Sequence, residues 1–206
     1  MSQQAVERVF SKVLLGQFVE LARQEVGPEK LALVLTDVHL SPGMLEADSL
    51  ASLDGSGAAD VYARLQQALR LFYGRGARGS LIRIGHALWE RIASGTSFLE
   101  RAELRVLRSL PVPARPRRVL ELVASRLREG GGMVSIHSLD LDLMLADHSS
   151  AATVGQSADM PICFVTQGLI QGALAWAVDR EADVEEVSCR AMGQPACEFR
   201  IRLGAR

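Results

Sequence analysis

The sequence predicts an α+β fold, with N-terminal helices followed by a mainly antiparallel sheet and helices packed on one face. Three observations predict it. Apolar residues recur at helical spacing through most of the chain before the glycine run Gly130-Gly131-Gly132. Beyond that run the pattern changes to strand alternation, in MVSIHSLD and LDLMLADH. A further helical stretch over 160–178 then separates this pair from a final hairpin, so strands stand on both sides of a helix.

Taken in order, residues 4–26 place Val6, Val9, Phe10, Val13, Leu14, Phe18, Leu21 and Ala22 on one broad helical face. Gly27-Pro28 ends that helix, because proline cannot continue the hydrogen-bond ladder. Residues 29–40 read as a second short helix, with a strand as the alternative. Ser41-Pro42-Gly43 is a turn, and the small polar residues of 44–57 read as a loop. The organisation expected is an N-terminal helical arm over 1–45 and a ligand-binding domain over 46–206. The arm's wide apolar face suggests a homodimer contact.

Residues 58–73 form an amphipathic helix through Val61, Leu65, Leu69 and Phe72, broken by Gly74 and Gly76. The next helix, 77–94, carries Ile82, Gly85, His86, Trp89 and Ile92 on one face. A helix over 97–110, the proline-rich connector PVPARP and a helix over 117–129 follow. The strand pair alternates through Val134/Ile136 and Leu141/Leu143/Leu145. Residues 149–158 form a loop, and the 160–178 helix takes Pro161 in its first turn. The hairpin is 183–190 with 196–203, whose Cys197, Phe199, Ile201 and Leu203 share one face.

Composition limits the function. The chain has 206 residues, a formal net charge of −1 and three cysteines. A near-neutral balance gives no argument for nucleic acid. The clusters Arg75/Arg78/Arg83 and Arg115/Arg117/Arg118 are short and read as solvated faces. No uncharged apolar run reaches the ~20 residues that span a bilayer. Charged residues interrupt the N-terminus before a signal-like apolar run forms. The expected location is the cytoplasm. Neither a Ser-His-Asp set nor a phosphate-binding glycine loop is visible, so no catalytic residues are assigned and an enzyme has little local support.

All three cysteines lie in the last quarter of the chain, at Cys163, Cys189 and Cys197. The last two bracket a Gly/Pro turn. Three soft ligands gathered in this way suggest a metal before they suggest disulfides. Zinc takes four tetrahedral ligands, so one is missing. Glu186, His148 and Glu185 are the candidates. A closed four-ligand site is structural and carries about two excess negative charges, which N–H groups of the 190–196 turn would offset. The alternative is three reduced thiols packed in a core. Glu186 and Cys189 also differ in parity on a regular strand, so both reach one ion only if the strand bulges between them.

The stretch EEVSCRAMGQPACEFRI resembles the C-terminal signature of the 4-vinyl reductase (hydrocarbon-binding) domain family, and PICFVTQGLIQGAL resembles its helix. The family is related to sensor domains of phenol-responsive activators and to subunits of vesicle-tethering complexes. The resemblance implies the same α+β fold and a structural zinc on Cys163, Glu186, Cys189 and Cys197. The usual turn Asp is Gln194 here, and the loop before the helix lacks the additional cysteines often found there.

The leading function is a zinc-stabilised sensory domain for a small hydrophobic or aromatic ligand, acting through a partner protein or as a homodimer. Gly168 and Gly172 leave a bare helical stripe, either for close packing or for a ligand. His86, Trp89, Ile82 and Phe164 are the other candidate pocket residues. The alternatives are an accessory or catalytic protein of (bacterio)chlorophyll 4-vinyl reduction, and a purely structural assembly subunit.

Overall fold

The computed structural model describes residues 8–95, 97–129, 131–140 and 142–203. Its helices are α1 (Lys12–Val26), α2 (Pro28–Thr36), α3 (Ala47–Ser52), α4 (Gly55–Tyr73), α5 (Ala77–Ser94), α6 (Phe98–Ser109), α7 (Arg115–Arg128) and α8 (Phe164–Val178). Its strands are β1 (Val134–Leu139), β2 (Asp142–Asp147), β3 (Asp183–Ser188) and β4 (Cys197–Arg202). The sheet is antiparallel throughout, in the order β1-β2-β4-β3. The predicted α+β class holds.

The sheet divides by parity. Leu143, Leu145, Val184, Phe199 and Ile201 point inward and are buried, with α7 and α8 packed against the sheet. The other face carries ion pairs between Arg200 and Asp142 and from Arg202 to Asp183 and Glu185. Helices α5 and α8 form the most intimate helix pair. Two helix starts are capped as their sequences dictate. Asp54 accepts the Gly57 N–H at 2.6 Å, and Ser97 with Glu100 forms a reciprocal capping box.

The structure corrects several boundaries. The first helix begins at Lys12, not at residue 4. Residues 1–7, and with them Val6, lie outside the described residues, as do Gly130 and Leu141. Phe10 instead donates its N–H to Gly55 O at 3.0 Å, fastening an extended lead-in to the start of α4. Gly27-Pro28 does end α1, but Pro28 also opens α2, where its missing N–H costs nothing. The 44–57 loop contains α3 and the first turn of α4, because Leu45 and Leu50 bury against the core and tertiary packing overrides weak propensity. The last helix begins at Phe164, not near 160. Pro161 disfavours helical backbone in the residue before it, and Cys163 becomes the N-cap.

Helices α1 and α2, the expected arm, share the core. Leu15, Phe18, Val19, Ala22, Leu31 and Leu35 belong to the same buried cluster as α4, α5 and α8. The apolar face that suggested a dimer contact is therefore covered by the chain itself.

Candidate metal centre and adjoining cavity

Cys163, Glu186, Cys189 and Cys197 come together in one buried cluster. Each offers a ligand atom, and these atoms all lie within 4.8 Å of one another. The Sγ atoms of Cys163 and Cys197 are 3.4 Å apart, and Cys189 Sγ is 4.0 Å from each. A tetrahedral zinc with ~2.3 Å Zn–S bonds needs sulfur separations of roughly 3.8 Å.

The parity difficulty has the expected solution. Glu186 pairs with Phe199 and Ser188 with Glu198, so the register shifts between Glu186 and Ser188. Val187 is the additional residue, half exposed. The shift lets Glu186 and Cys189 face the same side. Of the other candidate ligands, Glu185 is turned outward onto Arg202 at 2.8 Å. His148 is engaged through its backbone, with its carbonyl held by Arg190.

The donor set suits a cation. Glu186 Oε2 accepts the Cys163 N–H at 2.9 Å, while Oε1 is buried with no hydrogen-bond partner. An orphaned buried carboxylate oxygen is costly unless a cation meets it. Burial, and then the charge of Cys189, push the Glu186 carboxyl up to about 8. Hydrogen bonds with Cys163 and Cys197 pull Cys189 far below the usual thiol range. Cys163, bonded to the other two thiols, is held well above it. The cluster without a cation thus favours one thiolate between two thiols. Negative charge is offset by the Arg190 N–H, 3.3 Å from Cys197 Sγ, by the backbone of Ile162 and Ala191 against Cys189, and by the start of α8. The predicted help from the 190–196 turn is present in Arg190 and Ala191. These residues fit a structural zinc, held on the start of α8 and both arms of the β3–β4 hairpin.

The candidate ligand residues fall into three places. Gly168 lies in the α5–α8 contact. A Cβ there would sit 2.2 Å from Ile82 O, and one on Gly85 would sit 2.2 Å from Val165 O. Gly168 and Ile82 therefore pack backbone on backbone and line no cavity. His86, Trp89 and Gly172 line a surface groove of about 460 Å³ with Trp176. There Trp89 stacks edge-on against Trp176, with ring centroids 5.6 Å apart. The buried Trp89 Nε1 has no acceptor, and His86 Nε2 is 3.3 Å from Gln171 Oε1.

Phe164 lines a different and larger cavity of about 700 Å³. It opens between the α4–α5 turn, the residues leading into α8, and β3. Met160, Pro161, Ile162 and Phe164 form its apolar wall, Gln167 and Glu186 its floor, and Arg70, Arg75 and Arg78 its rim. Sequence reading missed Arg70 and took Arg75 and Arg78 for solvated surface. No local pattern marks them, because the cavity forms only when residues 160–167 fold back over the α4–α5 turn.

Residues 147–203 match the family model of the 4-vinyl reductase domain. No curated protein matches the chain. Among solved structures, the phenol-responsive sensory domain of the transcription activator PoxR, bound to phenol, is similar at 15% identity. That match covers 69% of this chain and 72% of the other, with a TM-score of 0.51. The Fe(II) unliganded H-NOX protein from K. algicida is similar at 12% identity, over 96% of this chain and 98% of that one, with a TM-score of 0.60. A trafficking protein particle complex subunit 3 from Naegleria fowleri, covalently bound to palmitic acid, is similar at 16% identity. It covers 71% of this chain and 93% of that one, with a TM-score of 0.49. At these identities the likeness is one of fold. Among the described residues no helix is long and apolar enough to cross a membrane.

Proposed function

We propose that the chain is a sensory or binding domain for a small hydrophobic or aromatic molecule, its last third held in shape by one zinc ion on Cys163, Glu186, Cys189 and Cys197. One observation carries the reading. Glu186 belongs both to the Cys/Glu cluster and to the lining of the 700 Å³ cavity. Phe164 and Ile162, on either side of Cys163, form part of that cavity's wall. A ligand seated there presses on residues next to two metal ligands. The cavity volume lies in the usual range for small-molecule sites. The family match over 147–203 and the phenol-bound PoxR domain support the same class of activity.

Binding is transmitted to a partner protein or a second copy, and a reducing cytoplasm keeps the three thiols available for metal. Native mass spectrometry of the purified protein reports zinc, subunit count and any co-purified ligand together. One zinc per chain and a bound apolar molecule support the reading. A metal-free, ligand-free protein that also fails to bind a neutral aromatic such as 2-naphthol defeats it.

The groove of His86, Trp89 and Gly172 is the second possible seat, favoured by the unpartnered Trp89 Nε1–H. Tryptophan fluorescence separates the two. Both tryptophans of the chain line the groove and neither lines the cavity. A naphthol bound in the groove changes their emission strongly; one bound in the cavity does not.

A further inference from the structure

We infer that the cavity beside the metal cluster takes an amphipathic anion, an apolar or aromatic body carrying a carboxylate or phosphate head, and not a neutral hydrocarbon. The inference rests on the small-ligand reading above and adds the chemistry of the ligand's polar end. Three guanidiniums stand at this cavity, from Arg70, Arg75 and Arg78. Arg70 is the informative one. Its Nη2 donates to Gln156 Oε1 at 2.8 Å. Gln156 is itself anchored through its Nε2 to Gln67 Oε1 and Val154 O, at 3.2 and 3.3 Å. The guanidinium is thereby held in one orientation, and its Nη1 is buried with no acceptor. A buried donor on a permanently charged group, left without a partner, calls for an anionic acceptor.

Arg75 and Arg78 are exposed at the rim, and among the described residues neither has an ion-pair or hydrogen-bond partner. Their cationic ends are free to close over the same head group. The acidic groups at the cavity do not neutralise them. Glu185 is paired with Arg202 on the outer face of the sheet, and Glu186 turns its carboxylate to the thiols. The opposite wall is Met160, Pro161, Ile162 and Phe164. One side thus suits an apolar body and the other a fixed anion, the two halves of an amphiphile.

The test compares 2-naphthoate with 2-naphthol, which share a ring system and differ in charge at neutral pH. Binding is measured by calorimetry on the full chain with its native metal content. Wild type is expected to hold naphthoate about tenfold or more tightly than naphthol. Arg70→Met is expected to abolish that preference while leaving naphthol affinity unchanged. Arg78→Met, an exposed position that spares the fold, is expected to reduce naphthoate affinity several-fold, with circular dichroism and zinc content as wild type. Equal affinity for the two probes, or an Arg78→Met variant that keeps the full preference, overturns the anionic inference and leaves the small-ligand reading standing. Failure of both probes overturns the two together. Binding of naphthoate only when presented with anionic lipid vesicles identifies a membrane headgroup site and overturns the free-acid form of the proposal.

Discussion

Glu186 Oε2 accepts the backbone N–H of Cys163 at 2.9 Å, which ties β3 to the residue that caps α8. The other carboxylate oxygen, Oε1, is buried with no hydrogen-bond partner. The bond positions the carboxylate, and the second oxygen remains for a cation.

Zinc removal is therefore expected to loosen the last third of the chain. Structural zinc contributes on the order of 10 kcal/mol to small sites. Cys189→Ser is expected to purify without metal, with its C-terminal amides losing exchange protection while α4 and α5 keep theirs. Glu186→Gln retains a neutral oxygen and is expected to hold zinc more weakly. Metal analysis with hydrogen exchange checks both, and a metal-free wild type that melts cooperatively regardless of chelator would exclude the site.

Alanine at Gly85 or Gly168 is expected to destabilise by about 3 kcal/mol, since overpacking against backbone leaves little to relax. Each new Cβ would meet a carbonyl oxygen of the other helix at 2.2 Å. Gly172→Ala is expected to be milder, its nearest neighbours lying at 3.2 Å. Gly16→Ala, inside α1 with nothing within 4 Å, is expected to stabilise by up to about 1 kcal/mol. Denaturant midpoints for the four variants give the order.

Asp147 gives a pH dependence with a definite sign. Burial raises its carboxyl from 3.8 to about 6, against hydrogen bonds donated by the Ser149 N–H and Oγ–H. A raised folded value favours the protonated form, so its stabilising effect is complete below about pH 4 and is lost as pH rises through about 6. The difference is about 3 kcal/mol. Asp147→Asn keeps an oxygen for Ser149 and cannot ionise. Relative to wild type in the same metal state, it is expected to gain stability between roughly pH 4.5 and 7.5. Parallel stability profiles for the two proteins would refute the assignment.

Arg190 clamps the cysteine-bearing turn, donating from Nη1 to Pro195 O at 2.7 Å and to His148 O. Arg190→Ala is expected to weaken zinc about tenfold through loss of this outer support. The readout is competition with a chelator. Unchanged affinity would show that the backbone alone shapes the turn.

The parts legible in the sequence were those whose signal is local. Residues 77–94 formed the predicted helix because its apolar period and flanking glycines agree, and the parity of Glu186 and Cys189 announced a bulge. The start of α8 was misplaced because Pro161 fits either a first helical turn or an extended approach. The choice was made by the distant partner Glu186. Gly168 was ambiguous for a similar reason. A missing side chain looks the same in sequence whether a ligand or the backbone of Ile82 fills the space. Arg70 had no signal at all, since its neighbours at the cavity come largely from residues far later in the chain.

The glycine contact between α5 and α8 also sets the gauge of the cavity. Ala77 and Arg78 on the first turn of α5, and Phe164 and Gln167 on the first turn of α8, stand at its walls. Gly85 lies about 12 Å along α5 from Ala77, and Gly168 about 6 Å along α8 from Phe164, at about 1.5 Å per residue. Behind these helix ends the two backbones already touch. The jaws of this caliper therefore cannot spread to admit a wider guest, and only the side chains at their tips can yield. Discrimination by breadth is built into main-chain contact, while tolerance of length is left to the open rim.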